Sequence, residues 1–253
     1  HKTKKDIWRV NTHTGMVDVT EDHSLLDEER NKLKPKEAKI GCKLLHNYPS
    51  FSPNRENEKE EESVNHLDDF LSYIESIDSK TKEEKKAFIY GFFFGDGSCG
   101  KYDCPSGLKY SWALNQKDRD FCVKMKNLCE EVFGDKFKIN DTIKSSGVYK
   151  IVPFSNNING KGLKKYVDMF RSKCYNKDKF KIVPTEYLNG EYSIRMAYLS
   201  GYYAADGAKC RNSKTKNIRL SNKGKIGSAM LFYMFRSLGF KVSVNTRKDK
   251  LNM

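Results

Sequence analysis

The sequence predicts an α+β protein whose central part is a duplicated unit. Three observations carry this reading. IYGFFFGDG (Ile89–Gly97) and LSGYYAADG (Leu199–Gly207) are apolar runs with an internal glycine and a terminal Asp-Gly, and Asp96 and Asp206 stand 110 positions apart. LNQKDR (Leu114–Arg119) is answered by LSNKGK (Leu220–Lys225) at an offset of 106, so a whole unit repeats rather than one motif. Within each copy, helical stripes alternate with short stretches of period two, giving a unit of helix, strands, helix, strands.

Residues 1–47 read as β-rich. DIWRVNT alternates apolar and polar residues, THTG supplies a polar turn, and MVDVT follows. Residues 48–82 read as a linker and a connecting helix: prolines, serines and an acidic run come first. From His66 onward, Leu67, Phe70, Leu71, Ile74 and Ile77 keep helical spacing.

Residues 83–180 hold the first copy. The first key helix, over 82–95, starts with a charged turn, and its stretch Ala87–Phe94 is apolar on nearly all sides, which predicts burial. Gly91 and Gly95 lie on one face, where they permit close backbone approach, and Gly97 is expected to take a left-handed cap. A loop over Ser98–Gly107, a strand Leu108–Gln116 and a helix Lys117–Phe133 stopped by Gly134 come next. Strands Lys136–Asn140 and Val148–Phe154 and a helix Gly162–Cys174 complete the copy.

Residues 181–253 hold the second copy. A helix Met196–Ala205 is followed by a strand Asn217–Asn222, with Asn217, Arg219 and Ser221 on one face. A helix Lys223–Leu238 stops at Gly239. Lys241, Ser243, Asn245 and Arg247 then alternate with Val242 and Val244, and this copy ends short of its expected last strand and helix.

The net charge is +14 over 253 residues. Residues 48–83 hold ten acids against four bases, net −6; taking that from +14 leaves +20 for the rest. Such a positive balance suits a polyanionic partner. The seven cysteines include no CxxC pair, which argues against zinc and for free thiols in a reducing compartment. With no signal peptide and no apolar run of about 18 residues, the expectation is an intracellular, non-secreted, soluble protein without a membrane partner.

An aspartate at a helix C-terminus sits against the helix dipole. Two core helices with acidic caps are the plain reading of one copy. A matched pair in a basic protein favours a divalent cation that offsets both charges. Lys181 begins KIVP (Lys181–Pro184) and reads either as a surface lysine in a lysine-rich stretch or as a group that tunes an attacking water. Gln116 and Asn222 end equivalent strands and read either as strand-end caps or as neighbours of that water.

The doubled Asp-Gly helix resembles the signature of the LAGLIDADG homing endonucleases, over roughly residues 83–253. Phe92, Phe93, Phe94, Tyr202 and Tyr203 stand where aliphatic residues are commoner. The resemblance implies a pseudo-twofold αββαββα fold, a monomer with internal symmetry, and site-specific hydrolysis of double-stranded DNA. It further implies two or three Mg²⁺ ions, replaceable by Mn²⁺. On this chain the metal ligands would be Asp96, Asp206 and the residues before them, Gly95 and Ala205, with Lys181, Gln116 and Asn222 assisting. The alternating faces would meet DNA through Lys109, Ser111, Lys136, Lys138, Asn140, Lys150, Arg219, Lys241, Ser243, Asn245 and Arg247. A DNA-binding module that kept the fold and lost catalysis is the alternative.

THTGMVDVTEDHSLL (Thr12–Leu26) resembles an intein splicing (Hint) motif of the Thr-x-x-His type, with Thr20 and His23 in its key places, in wording close to inteins of viral family-B DNA polymerases. That implies host-protein exteins in a full-length precursor that self-splices. The chain starts at His1 and ends LNM, without the junction residues an intein needs, so this stretch itself is not expected to splice.

Overall fold

The computed structural model describes residues 4–12, 15–45, 66–155, 162–207, 219–240 and 242–244. The chain divides into two units, His1–Arg55 with Phe232–Met253, and Glu56–Leu231. The acidic stretch after Leu45 and the positions Asn217, Lys241, Asn245 and Arg247 lie outside the described residues.

In the first unit, β1 (Ile7–Thr12) and β2 (Gly15–Thr20) form an antiparallel hairpin in which Trp8 faces Val19 and Val10 faces Val17. Arg9 and Asp18, opposite each other, are joined by a two-pronged ion pair at 2.6 and 2.7 Å. Short β3 (Leu25–Leu26) and β4 (Lys32–Leu33) pair next. Among the described residues 4–45, Val19 and Pro35 are buried.

The second unit is built on two helices and one sheet. α1 (His66–Glu75) packs on the second key helix and buries Phe70, which stacks on Tyr203 at 5.6 Å. α2 (Lys82–Asp96) starts at a reciprocal cap. The Thr81 hydroxyl accepts from the Glu84 N–H, and the Glu84 carboxylate accepts from the Thr81 N–H at 3.0 Å and the Tyr73 hydroxyl at 2.8 Å. Burial pulls the Glu84 carboxyl up, but these donors outweigh it and leave it below its ordinary value.

β5 (Gly97–Cys104), β6 (Gly107–Gln116), α3 (Arg119–Phe133), β7 (Phe137–Thr142), the one-turn α4 (Ile143–Ser146), β8 (Val148–Pro153) and α5 (Lys164–Cys174) follow. Apart from α4, residues 82–174 have the expected αββαββα order. The sheet is wholly antiparallel in the order β5-β6-β8-β7. Its inner face packs under α2 and α5, where Trp112 meets Phe93 at 5.9 Å and Phe170 at 5.1 Å. Stacked and edge-on rings of this kind bury large areas in few residues.

Two expectations fail here. The residues expected as a loop after Asp96 form β5, because GSCGKYDC pairs along its whole length with β6. Gly97 is extended (φ −82°, ψ 152°), not left-handed. Its lack of a side chain is needed for space: a Cβ there would run into the ring and carbonyl of Phe93.

After the one-turn α6 (Thr185–Leu188), α7 (Tyr192–Asp206) lies against α2. Their contact is reciprocal. A Cβ on Gly91 would strike the Tyr198 carbonyl, and a Cβ on Gly201 would strike the Phe88 carbonyl. Subtracting the 110-residue repeat turns Gly201 into Gly91 and Tyr198 into Phe88, so the two contacts are one contact seen twice. That is the mark of a local twofold axis. On the axis, Gly95 faces its counterpart Ala205, whose Cβ lies 2.6 Å from where a Gly95 Cβ would stand.

α8 (Lys225–Ser237) is the last helix among the described residues. The strand expected over Asn217–Asn222 is not seen in its described part: residues 219–222 are not in a strand. The Asn222 side chain instead donates to the Gly224 carbonyl at 3.0 Å and the Ser228 hydroxyl at 3.2 Å, closing the turn into α8. Ser243 is likewise outside any strand.

Candidate active site

α2 and α7 run side by side with both Asp-Gly ends at the same end of the pair. A Gly95 Cβ would lie 3.1 Å from the Asp206 carboxylate. The Asp96 carboxyl is raised to about 6, first by burial and then by the nearby Asp206 charge, with Lys181 and Lys117 opposing the rise. Asp206 is the more exposed of the two. Lost hydration still raises its carboxyl, against Lys181. The two acids are thus close enough to repel, and each copy contributes one.

The backbone below Asp96 is held from two sides. The Asn115 amide donates to the Asp96 carbonyl at 2.6 Å. Lys181 donates to the carbonyls of Phe93 (2.8 Å), Phe94 (3.0 Å), Gly95 (2.9 Å) and Gly97 (2.7 Å), and its ammonium lies 5.2 Å from the Phe93 ring centre. An ammonium has three N–H bonds, so these four carbonyls use every one. Burial lowers the Lys181 ammonium to about 8, and the two aspartates resist the fall. The compensation expected for an acid at a helix C-terminus is therefore partly internal: a lysine sits at the α2 end.

A turn delivers Lys181 there. The Asn176 side chain accepts from the N–H groups of Asp178 and Phe180, Lys179 takes φ 65°, and Tyr175 bridges Lys181. Val183 and Pro184, both buried, fix the exit into α6.

Gln116 ends β6, and its side-chain oxygen accepts from the N–H groups of Lys117 (2.7 Å) and Asp118 (3.3 Å). Asn222 closes the turn described above. Both amides are used in capping, Gln116 through its oxygen and Asn222 through its nitrogen. Among the described residues no cluster of three or more His, Cys, Asp or Glu side chains could hold a metal. Any ion at the pair would therefore draw its other ligands from backbone carbonyls, water or substrate.

Register places Lys109, Ser111, Asn115, Lys138, Asn140 and Lys150 on the outer sheet face, opposite to Trp112, with Asn115, Lys150 and Asn140 in one row across three strands. Lys136 precedes β7 with the same parity and is exposed. Tyr102, 55% exposed, leans over Gly100 on this face, where a Cβ would meet its ring. Arg219 is exposed outside any strand. In the first unit, the His23 N–H donates to the Thr20 carbonyl at 2.9 Å. The Lys5 ammonium and the Thr20 hydroxyl bond Asp22 and hold that carboxyl at about 2.

Two residues beside the expected ones were not singled out in the sequence. Asn115 has a signal only in hindsight, as the neighbour of Gln116 in LNQ. Tyr102 lay in the stretch expected to be a loop.

No family model matches the chain. Over 250 residues, 99% of its length, the chain is 44% identical to a DNA polymerase of Acanthamoeba polyphaga mimivirus, and it spans 13% of that relative. Among solved structures it is similar to I-DmoI in complex with DNA and Mn, at 20% identity and a TM-score of 0.45, over 63% of this chain and 80% of that one. A second is a point variant of I-DmoI with its target DNA and Mg, at 17% identity and a TM-score of 0.45, over 62% and 79%. Among the described residues no helix is long and apolar enough to cross a membrane.

Proposed function

We propose that this chain is the endonuclease-bearing part of an intein and cuts double-stranded DNA at a specific site by divalent-metal-dependent phosphodiester hydrolysis. The observation that carries the reading is the pair of repelling carboxylates, Asp96 and Asp206, at the joined ends of two reciprocally packed helices. The 44% identity to a stretch of a viral DNA polymerase supports an insertion in such a host protein.

The donor set fits a hard cation. Asp96, Asp206 and the carbonyls of Gly95 and Ala205 are all oxygen, which suits Mg²⁺ or Mn²⁺ and not a thiolate- or imidazole-seeking metal. When bound, such ions supply an activated water and charge neutralisation at the scissile phosphate. The protein's own groups do the rest. One acid from each copy gives each DNA strand its own carboxylate. The Gln116 amide nitrogen and the Asn222 oxygen, left over from capping, orient water on either side, and Lys181 tunes its acidity.

The outer sheet face meets the duplex, lysines on phosphates and Ser111, Asn115 and Asn140 on base edges. Arg219, exposed before the turn into α8, adds a positive charge from the second copy; Lys241, Asn245 and Arg247 lie outside the described residues, and Ser243 is in no strand. The active form is a monomer in the compartment of the host's DNA. In the full-length precursor, Thr20 and His23 polarise the upstream junction between exteins.

A supercoiled plasmid carrying the uninterrupted polymerase gene is the test. Linear product is expected with Mg²⁺ or Mn²⁺, and none in EDTA. Binding without any cut in either metal would leave only a DNA-binding module. Alanine at Lys109, Lys138 and Lys150 together is expected to weaken binding across sequences. It should also flatten the slope of log K against log salt by about 1 per lysine that meets a phosphate, read by fluorescence anisotropy.

A further inference from the structure

The Lys181 ammonium stands where the proposed metal would need a ligand. It takes the Gly95 carbonyl at 2.9 Å, together with three neighbouring carbonyls. Both aspartates act on it, so it already serves as the positive partner of the pair. Four backbone oxygens around one ammonium form a built cage, held in place by the Asn176–Lys181 turn and by buried Val183 and Pro184. A surface lysine has no reason to be held this way.

We infer that Lys181 is the resident counter-cation of the α2 terminus, and that a divalent ion between Asp96 and Asp206 binds in competition with it for the Gly95 carbonyl. The inference rests on the metal-dependent reading above. Two cations drawn to one carbonyl and one pair of acids repel each other. The ammonium's hold on the helix end must loosen as the ion enters. The coupling is reciprocal: whatever the ion does to the lysine, the lysine does to the ion. In metal-free protein Lys181 keeps the α2 end ordered and its carbonyls satisfied, which is a positioning role. The Phe93 carbonyl keeps the Gly97 N–H, but weakening the hold on its neighbours at the helix end costs stability.

The test compares the intact chain with Lys181→Met and Lys181→Gln. Lys181→Gln keeps a neutral donor near the carbonyls, so it separates loss of charge from loss of the clamp. Mn²⁺ binding is read by the quenching of its electron paramagnetic resonance signal, and melting is followed in EDTA and in Mn²⁺. In EDTA, Lys181→Met is expected to melt below wild type, with Lys181→Gln between them. Both variants are expected to bind Mn²⁺ about 5- to 10-fold more tightly. They should also gain more in melting temperature from added Mn²⁺ than wild type does. Mn²⁺ binding that is unchanged or weaker in both variants overturns the competition and leaves the nuclease reading standing. No Mn²⁺ binding by wild type or variants overturns both. An unchanged melting temperature for Lys181→Met in EDTA overturns the counter-cation role.

Discussion

Asp96→Asn and Asp206→Asn are each expected to lower cleavage by a factor on the order of 10³ or more, about 4 kcal/mol of transition-state stabilisation, with DNA affinity kept within a few-fold. The amide is nearly the same size as the carboxylate, so packing at the α2–α7 seam is preserved. Its lost charge removes what the proposed metal would bind and nothing that touches the sheet face. Paired plasmid-cleavage and anisotropy measurements check this. The same substitutions give a second readout. In EDTA the two carboxylates repel and are partly stripped of water. Neutralising Asp96 should therefore stabilise the metal-free protein, by about 1 kcal/mol once solvent screening is allowed for, or roughly 2–4 °C. A variant that cuts at the wild-type rate removes Asp96 and Asp206 from the chemistry. A variant that melts lower in EDTA means the acids are structural caps.

Gly91→Ala and Gly201→Ala are expected to be the most damaging single-methyl changes in the second unit. In an ordinary exposed helix, alanine gains about 1 kcal/mol over glycine. Here the new methyl would lie far inside the roughly 3.5 Å of normal carbon contact, against a carbonyl of the facing helix. Backbone cannot move aside as a side-chain tip can, so the helices must separate. Overpacking typically costs about 1–3 kcal/mol and sometimes more, and this clash belongs at the upper end. Chemical denaturation of each variant measures it, and the twofold relation predicts similar losses for the two. Gly134→Ala is the control: φ is +73° and open space surrounds the site, so only the left-handed backbone opposes the methyl, at about 1–2 kcal/mol.

The key helices and their role at a shared seam were legible because their signal is local: an apolar run, spaced glycines and a terminal acid, written twice. α3 and β8 were also readable, from stripes and alternation that survive in the structure. β5 was not. Its glycines, cysteines and lysine have little preference for strand, and pairing with β6 imposes one. Gly97 shows a related limit. Its place after a helix suggests a left-handed cap, while its real constraint is the Phe93 ring, which only the fold brings near. Lys181 could be picked out by its setting before Val183-Pro184, but no local pattern reveals a cage of carbonyls from a helix some 85 residues earlier.

The chain's two tryptophans fall one in each unit. Trp112 is 1% exposed among phenylalanine and tyrosine rings, and its indole N–H has no partner among the described residues; Trp8 is 41% exposed. Their emission should therefore separate by colour, Trp112 in the blue and Trp8 close to the wavelength of indole in water. Loss of the ring cluster around the sheet will redden one component and leave the other nearly still. A Trp8→Phe variant would then give an unlabelled optical gauge of the unit that holds the paired acids, reading its melting under titration with DNA or ions.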